Sequence, residues 1–214
     1  MRESVKKSAT YPYGENLYLN LTSLCPTDCL FCIKNPAQRR FHGTDLSLEQ
    51  EPAVDEIWAD VLERMAQRLY GEFVFCGYGE STYRLDAVLE LSRRLKRYYP
   101  RSTRRLNTIG LGSAIWDRDI VPELAAGLTS VSVNLNTADP DQWLKLHRPR
   151  LEMREKGFES VLDFVRSCVL SDLRTTVTAV ELPGVDLPAV RRLGASLGAS
   201  FLARPMLTAQ ETLR

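Results

Sequence analysis

Along the chain a short apolar run and a longer segment of helical periodicity alternate about six times. The runs are Asn16–Thr22, Glu72–Glu80, Arg104–Gly110, Ser130–Asn136, Thr175–Leu182 and Ser200–Met206. Between them, Pro52–Tyr70 sets Val54, Ile57, Val61, Leu62 and Met65 at helical spacing, and Tyr83–Tyr99 does the same with Leu85, Val88, Leu89 and Leu95. Helical patterns also cover Val121–Ala126, Phe158–Leu170 and Asp186–Leu197. Such a series implies a parallel sheet covered by helices and joined by right-handed crossovers. Six units are too few to close an eight-fold barrel. The expected fold is therefore α/β, a partial (β/α)6 TIM-like barrel with parallel strands, with a doubly wound open sheet as the competing architecture. In either, ligands bind at the carboxyl ends of the strands.

The 214 residues suit one domain spanning 1–214, with Met1–Gly14 as a possible loose arm. Hydrophobic residues make up 44%, enough for a sizeable core. A net charge of +1 argues neither for nor against a nucleic-acid partner. No apolar run has signal-peptide length, and none approaches the roughly 18 residues needed to span a bilayer. The expectation is a soluble cytoplasmic protein without a membrane partner. There, clustered cysteines bind metal or do redox chemistry more often than they form disulfides.

Three of the five cysteines stand in "SLCPTDCLFCIKN" as Cys25, Cys29 and Cys32, just past the first strand. Zinc sites usually draw four protein ligands in paired spacings. No fourth ligand lies nearby: Cys76 and Cys168 stand alone, and His42 and His147 are the only histidines. A four-iron cluster held by three thiolates leaves one iron open to a ligand that is not protein. A zinc knuckle or a chance cluster is the simpler alternative.

Cys-x-x-x-Cys-x-Φ-Cys, with Phe31 before the last cysteine and the motif behind the first strand, resembles the signature of the radical SAM superfamily. The resemblance implies a 4Fe–4S cluster on Cys25, Cys29 and Cys32, its open iron chelated by S-adenosylmethionine (SAM). It also implies that the second strand's end, "CGYGEST", carries the superfamily's glycine-rich motif. Gly77, Tyr78, Gly79 and Glu80 would then accept hydrogen bonds from the methionine ammonium, although Tyr78 departs from the pattern. "LNTIG" is similar to a polar motif at the third strand, with Asn107 facing ribose. Ser130, Ser132, Asn134 and Asn136 fall at every second position of the fourth strand and so share a face. Four polar groups on one face of a buried strand need partners. A solvent-facing strand would satisfy them equally. The resemblance makes Ser132, Asn134 and Asn136 SAM contacts and sets Leu182 against adenine. "YGENLYLNLTSLCPTDCLFC", "FCGYGEST" and "ELPGVDL" look most like the small TatD-nuclease-associated radical SAM proteins, encoded beside or fused to a metal-dependent hydrolase.

The activity implied is reductive cleavage of SAM to a 5′-deoxyadenosyl radical that takes hydrogen from a substrate: a small molecule, a nucleic acid or a protein partner. Implied partners are a low-potential donor (ferredoxin or flavodoxin) and a TatD-type hydrolase or protein substrate. No cysteine follows Cys168, so one cluster is expected. Water exclusion calls for a lid: the loop Asn35–Glu49, the tail after Met206, or a second protein. The rival class is a non-catalytic iron–sulfur or metal-binding redox module.

Other features read as bland. Arg93, Arg94, Lys96, Arg97, Arg101, Arg104 and Arg105 form a basic run, more often a solvated helix face than a nucleic-acid surface. "LHRP" at Leu146–Pro149 reads as a helix cap or surface contact. Cys76 and Cys168 read as buried thiols. Glu181 and Arg204 either enter the cavity and act on substrate or pair with each other or solvent.

Overall fold

The computed structural model describes residues 9–33, 40–41 and 44–206. Its main sheet contains β1 (Thr10–Tyr13), β2 (Asn16–Leu19), β5 (Glu72–Phe75), β6 (Thr103–Thr108), β7 (Ser130–Asn134), β8 (Arg174–Val180) and β9 (Ser200–Arg204), in that spatial order. From β2 to β9 all neighbours are parallel. The sheet does not close; β1 and β9 are its edges. A small hairpin, β3 (Arg40–Phe41) and β4 (Thr44–Asp45), lies apart from it. The expected lid loop lies partly, and the tail after Met206 wholly, outside the described residues, as do Met1–Ser8 of the expected arm.

The rest of that arm is not loose. Thr10–Tyr13 pairs antiparallel with β2, Tyr11 opposite Tyr18. Pro12, which has no N–H, is tolerated because β1 is an edge.

Helices α1 (Val54–Gln67), α2 (Leu85–Tyr98), α3 (Gly112–Ile115), α4 (Val121–Gly127), α5 (Pro140–His147), α6 (Gly157–Leu170) and α7 (Leu187–Ser196) fill the crossovers. In α1, Ile57, Val61 and Met65 are buried one turn apart, whereas Leu62, expected with them, is 43% exposed. Glu56 accepts a hydrogen bond from the Ala53 N–H at 2.8 Å and fixes the helix start.

The two faces of the sheet differ in chemistry. Leu17, Leu19, Phe73, Phe75, Leu106, Val131, Val133, Val177 and Ala179 are fully buried, and pack in one core with Ile57, Leu91, Leu124, Phe164 and Val190 of the helices. A doubly wound sheet would carry helices on both faces. Here the alternate residues divide: Tyr18, Val74 and Cys76 pack with Tyr11, Leu46 and Tyr78 in a second, smaller core, while Arg105, Asn107, Ser132, Asn134, Thr178 and Arg204 form a polar concave face. This is a partial barrel, helices outside and polar groups within.

Candidate active site

Backbone hydrogen bonds clamp the cysteine segment to the end of α5. Asp28 N–H donates to the His147 carbonyl (3.1 Å), Leu30 N–H to the Leu146 carbonyl (2.9 Å) and Arg150 N–H to the Pro26 carbonyl (2.9 Å). Thr27 Oγ1 lies 3.4 Å from both Cys25 Sγ and Cys29 Sγ. The Cys32 N–H donates to the Cys29 carbonyl and closes a turn. None of the three is in a disulfide, and each is partly exposed.

The clamp brings in a residue that no local sequence pattern places here. His147, read as a cap or surface contact, is fully buried. Its ring stacks on Trp143 one helical turn back, centroids 5.0 Å apart, and meets the edge of Phe31 at 5.5 Å. Nδ1 lies 3.4 Å from Cys29 Sγ. Nε2 lies 3.2 Å from Asn136 Nδ2 and 3.3 Å from the Leu135 carbonyl. The Asn136 amide is oriented by the Val180 N–H, which donates to its Oδ1 at 2.9 Å. That leaves the Asn136 NH2 facing His147, so Nε2 accepts and the ring proton sits on Nδ1, aimed at sulfur. The Leu135 carbonyl would favour the other tautomer, but an Nε2–H would collide with the Asn136 donor. Burial drives the imidazole pKa down to about 4, so the ring is neutral.

At φ 63° Asn136 turns the chain out of β7, and its buried amide accepts from the Val180 N–H and donates to His147. The residues before it keep the expected concave placement. Asn134 Oδ1 accepts from Thr178 Oγ1 at 2.7 Å, and Ser132 Oγ accepts from Arg204 Nη2 at 3.0 Å. Asn107 Oδ1 accepts from Arg105 Nη1 at 3.1 Å. Leu182 is half-buried just past β8. Glu181 is exposed and meets Arg204 only through backbone, its N–H donating to the Arg204 carbonyl.

The glycine motif runs directly beneath the segment leading to the cysteines. A Cβ on Gly79 would stand 2.4 Å from the Thr22 carbonyl oxygen and 2.5 Å from that of Leu24; one on Gly77 would overlap the Asn20 amide. Tyr78 is buried on the concave side of the sheet with Tyr11, Tyr18, Leu46 and Val74. Glu80 is buried. Its Oε1 accepts from the Thr82 N–H (3.1 Å) and hydroxyl (2.9 Å), and its Oε2 from the Thr108 hydroxyl (2.9 Å) and Ile109 N–H (2.8 Å). These four bonds tie the turn after β5 to the end of β6. Burial pushes its pKa up against those hydrogen bonds.

The basic run does not form one surface. Arg104 is buried, donating to the Gly127 and Ser102 carbonyls; Arg105 is on the concave face with Glu72; Arg94 is paired with Glu90 and Asp55.

The model of the Radical SAM superfamily matches residues 19–193. The chain belongs to that superfamily. No curated protein matches the sequence. Among solved structures it is similar to a radical SAM methyltransferase from Sphaerobacter thermophilus (15% identity, TM-score 0.60), covering 94% of this chain and 70% of that one. It is also similar to the FeFe-hydrogenase maturase HydG from Carboxydothermus hydrogenoformans (13% identity, TM-score 0.63, 93% of this chain, 46% of that one). Streptococcus suis SuiB matches at 12% identity and TM-score 0.61, over 89% of this chain and 39% of that one. At such identities the likeness is one of fold. This chain spans less than half the length of the latter two.

Radical SAM proteins normally bind a 4Fe–4S cluster and SAM, and this site suits both. Its donors are three soft thiols on one clamped loop, the ligand type iron–sulfur clusters use. Among the described residues no three His, Cys, Asp or Glu converge on one ion position. A cubane does not require that, since each thiolate binds a different iron. Burial holds the free Cys29 thiol up at about 12, so it is coordination that would draw off the proton. The polar concave face supplies hydrogen-bonding groups for a polar ligand beside the loop. Among the described residues no helix is long and apolar enough to cross a membrane.

Proposed function

We propose that this chain is a radical SAM enzyme whose substrate enters the concave face of the open sheet. The observation that carries the reading is that the three-thiol loop is clamped at the carboxyl end of the first parallel strand, beside a row of inward polar side chains. Cys25, Cys29 and Cys32 would hold the cluster, and His147 would support Cys29 from behind. Gly77 and Gly79 let the segment that leads to the cysteines pack directly on the end of the second parallel strand, which sets the loop's position. Asn107, Ser132 and Asn134 offer hydrogen bonds along the face, and Leu182 an apolar contact at its rim. When bound, the cluster supplies the electron for reductive cleavage of SAM and so a 5′-deoxyadenosyl radical able to take hydrogen from substrate. The protein's own part is to orient both molecules and to exclude water.

A low-potential ferredoxin or flavodoxin is the proposed electron source. Leu24 and Leu30, 51% and 48% exposed beside the cysteines, give such a donor an apolar landing next to the cluster. The quoted motifs support placement among the TatD-associated members, with a TatD-type hydrolase as partner.

The test is anaerobic reconstitution, reduction with dithionite, addition of SAM and chromatography of 5′-deoxyadenosine, with Cys29→Ala as control. Production that needs reductant and Cys29 is expected. A loaded, reduced cluster that binds no SAM would instead make the chain a redox module.

A further inference from the structure

Arg204, the last residue of β9, reaches inward across β8. Among the described residues its one side-chain hydrogen bond runs from Nη2 to the neutral Ser132 hydroxyl on β7, at 3.0 Å. A guanidinium carries five donors and a permanent charge. Among the described residues no carboxylate pairs with it, whereas the neighbouring Arg105 is held by Glu72 at 2.8 Å. Among the described residues the concave face therefore carries two guanidinium groups, Arg105 and Arg204, and one carboxylate, Glu72, to balance them. Burial, the largest cause, pushes the Arg204 pKa down and Arg105 adds to it, against opposing effects of Cys76 and Tyr18. A partly desolvated charge without a counter-ion is costly to keep. The cost is offset when an anion binds.

The position says which anion. Asn136, tied to the cysteine loop through His147, lies past the carboxyl end of β7, four residues beyond Ser132. A group on Arg204 and Ser132 thus lies deeper in the sheet than the rim where the cluster ligands sit. The groups around it are Cys76, whose backbone carbonyl accepts from the Tyr11 hydroxyl, and Tyr18 and Arg105.

We propose that Arg204 receives an anionic group of the substrate, a carboxylate or a phosphate, with Ser132 beside it. The proposal rests on the reading that substrate occupies the concave face. It narrows the substrate class to acids and phosphorylated molecules, or to an acidic residue of a protein.

Inorganic phosphate and succinate are the probes, read as concentration-dependent shifts in melting temperature of the reconstituted protein, with and without saturating SAM. Wild type is expected to bind at least one of them about tenfold or more tightly than Arg204→Gln, the loss of a charge-assisted hydrogen-bonded pair. The difference should persist with SAM present. Arg204→Lys keeps the charge without the fork and should fall between, which decides the matter should the Gln variant fail to fold. Equal binding by wild type and both variants overturns the proposal. So does an anion shift that SAM abolishes, together with weakened SAM binding by the variants, because the anion would then be SAM's own carboxylate. Wild type that binds the probes through Arg204 yet never cleaves SAM would sink the catalytic reading and leave the anion site standing.

Discussion

His147 Nδ1 and Cys29 Sγ lie 3.4 Å apart, although 118 residues separate them in the chain. The proton on Nδ1 is set by a relay: backbone N–H of Val180 to Asn136, Asn136 to Nε2. Hydrogen bonds to cluster sulfurs stabilise the reduced, more negative state and raise its potential. In His147→Phe the midpoint potential of the reconstituted cluster should fall. His147→Asn, whose amide can reach the Nδ1 position, should restore part of it. A potential titration followed by electron paramagnetic resonance reads this directly. An unchanged potential in His147→Phe would remove the histidine from the cluster's environment.

The same burial gives the cluster-free protein a pH dependence. An unfolded histidine titrates near 6.5; in the fold His147 resists protonation down to about 4. Between those values the unfolded chain binds the extra proton, so this histidine's contribution to stability is whole above pH 6.5 and is lost as pH falls toward 4. The loss amounts to about 3 kcal/mol at most. Urea unfolding at pH 7 and pH 4.5 should show a larger drop for wild type than for His147→Phe. Equal drops would mean that the ring is protonated in the fold.

Much of this architecture was legible because strand and helix periods differ. The six parallel strands stand where the apolar runs fell, but shorter. Glu72–Glu80 contracts to Glu72–Phe75, since Cys76–Glu80 leave the ladder to form the glycine turn. The polar face of β7 was legible from its alternation as far as Asn134; the positive φ that turns Asn136 away leaves no mark in a period of two. Helix α5 had a signal that went unused: Asp139 as N-cap, accepting from Gln142 N–H, and Pro140 in the first turn. Without that helix, "LHRP" had no reason to be buried. The roles of Glu80 and His147 depend on pairings 28 and 118 residues apart, which no local pattern encodes.

Gly79 is a steric requirement of the cysteine loop. A methyl group there meets two carbonyl oxygens of the backbone that leads to Cys25, and neither can rotate aside. Gly79→Ala should cost about 1–3 kcal/mol and lower the iron bound per chain after reconstitution. Gly71→Ala, where a Cβ meets nothing within 4 Å, is the matched control. Iron content and melting temperature equal to wild type in Gly79→Ala would show that the loop can move freely off the glycine turn.

Glu80→Gln replaces a carboxylate that accepts from four donors with an amide that accepts through one oxygen only. The Thr82 and Thr108 hydroxyls can rotate to accept from the new NH2, but the Thr82 and Ile109 N–H groups are fixed donors. Whichever way the amide flips, its NH2 faces one of them. One buried N–H is left unsatisfied, at a cost of about 1–3 kcal/mol. The melting temperature should fall accordingly. With Glu80 acting as a tie between β5 and β6, SAM affinity at a temperature where the variant is fully folded should change less than stability does. A large loss of SAM affinity at unchanged melting temperature would instead return Glu80 to the ligand.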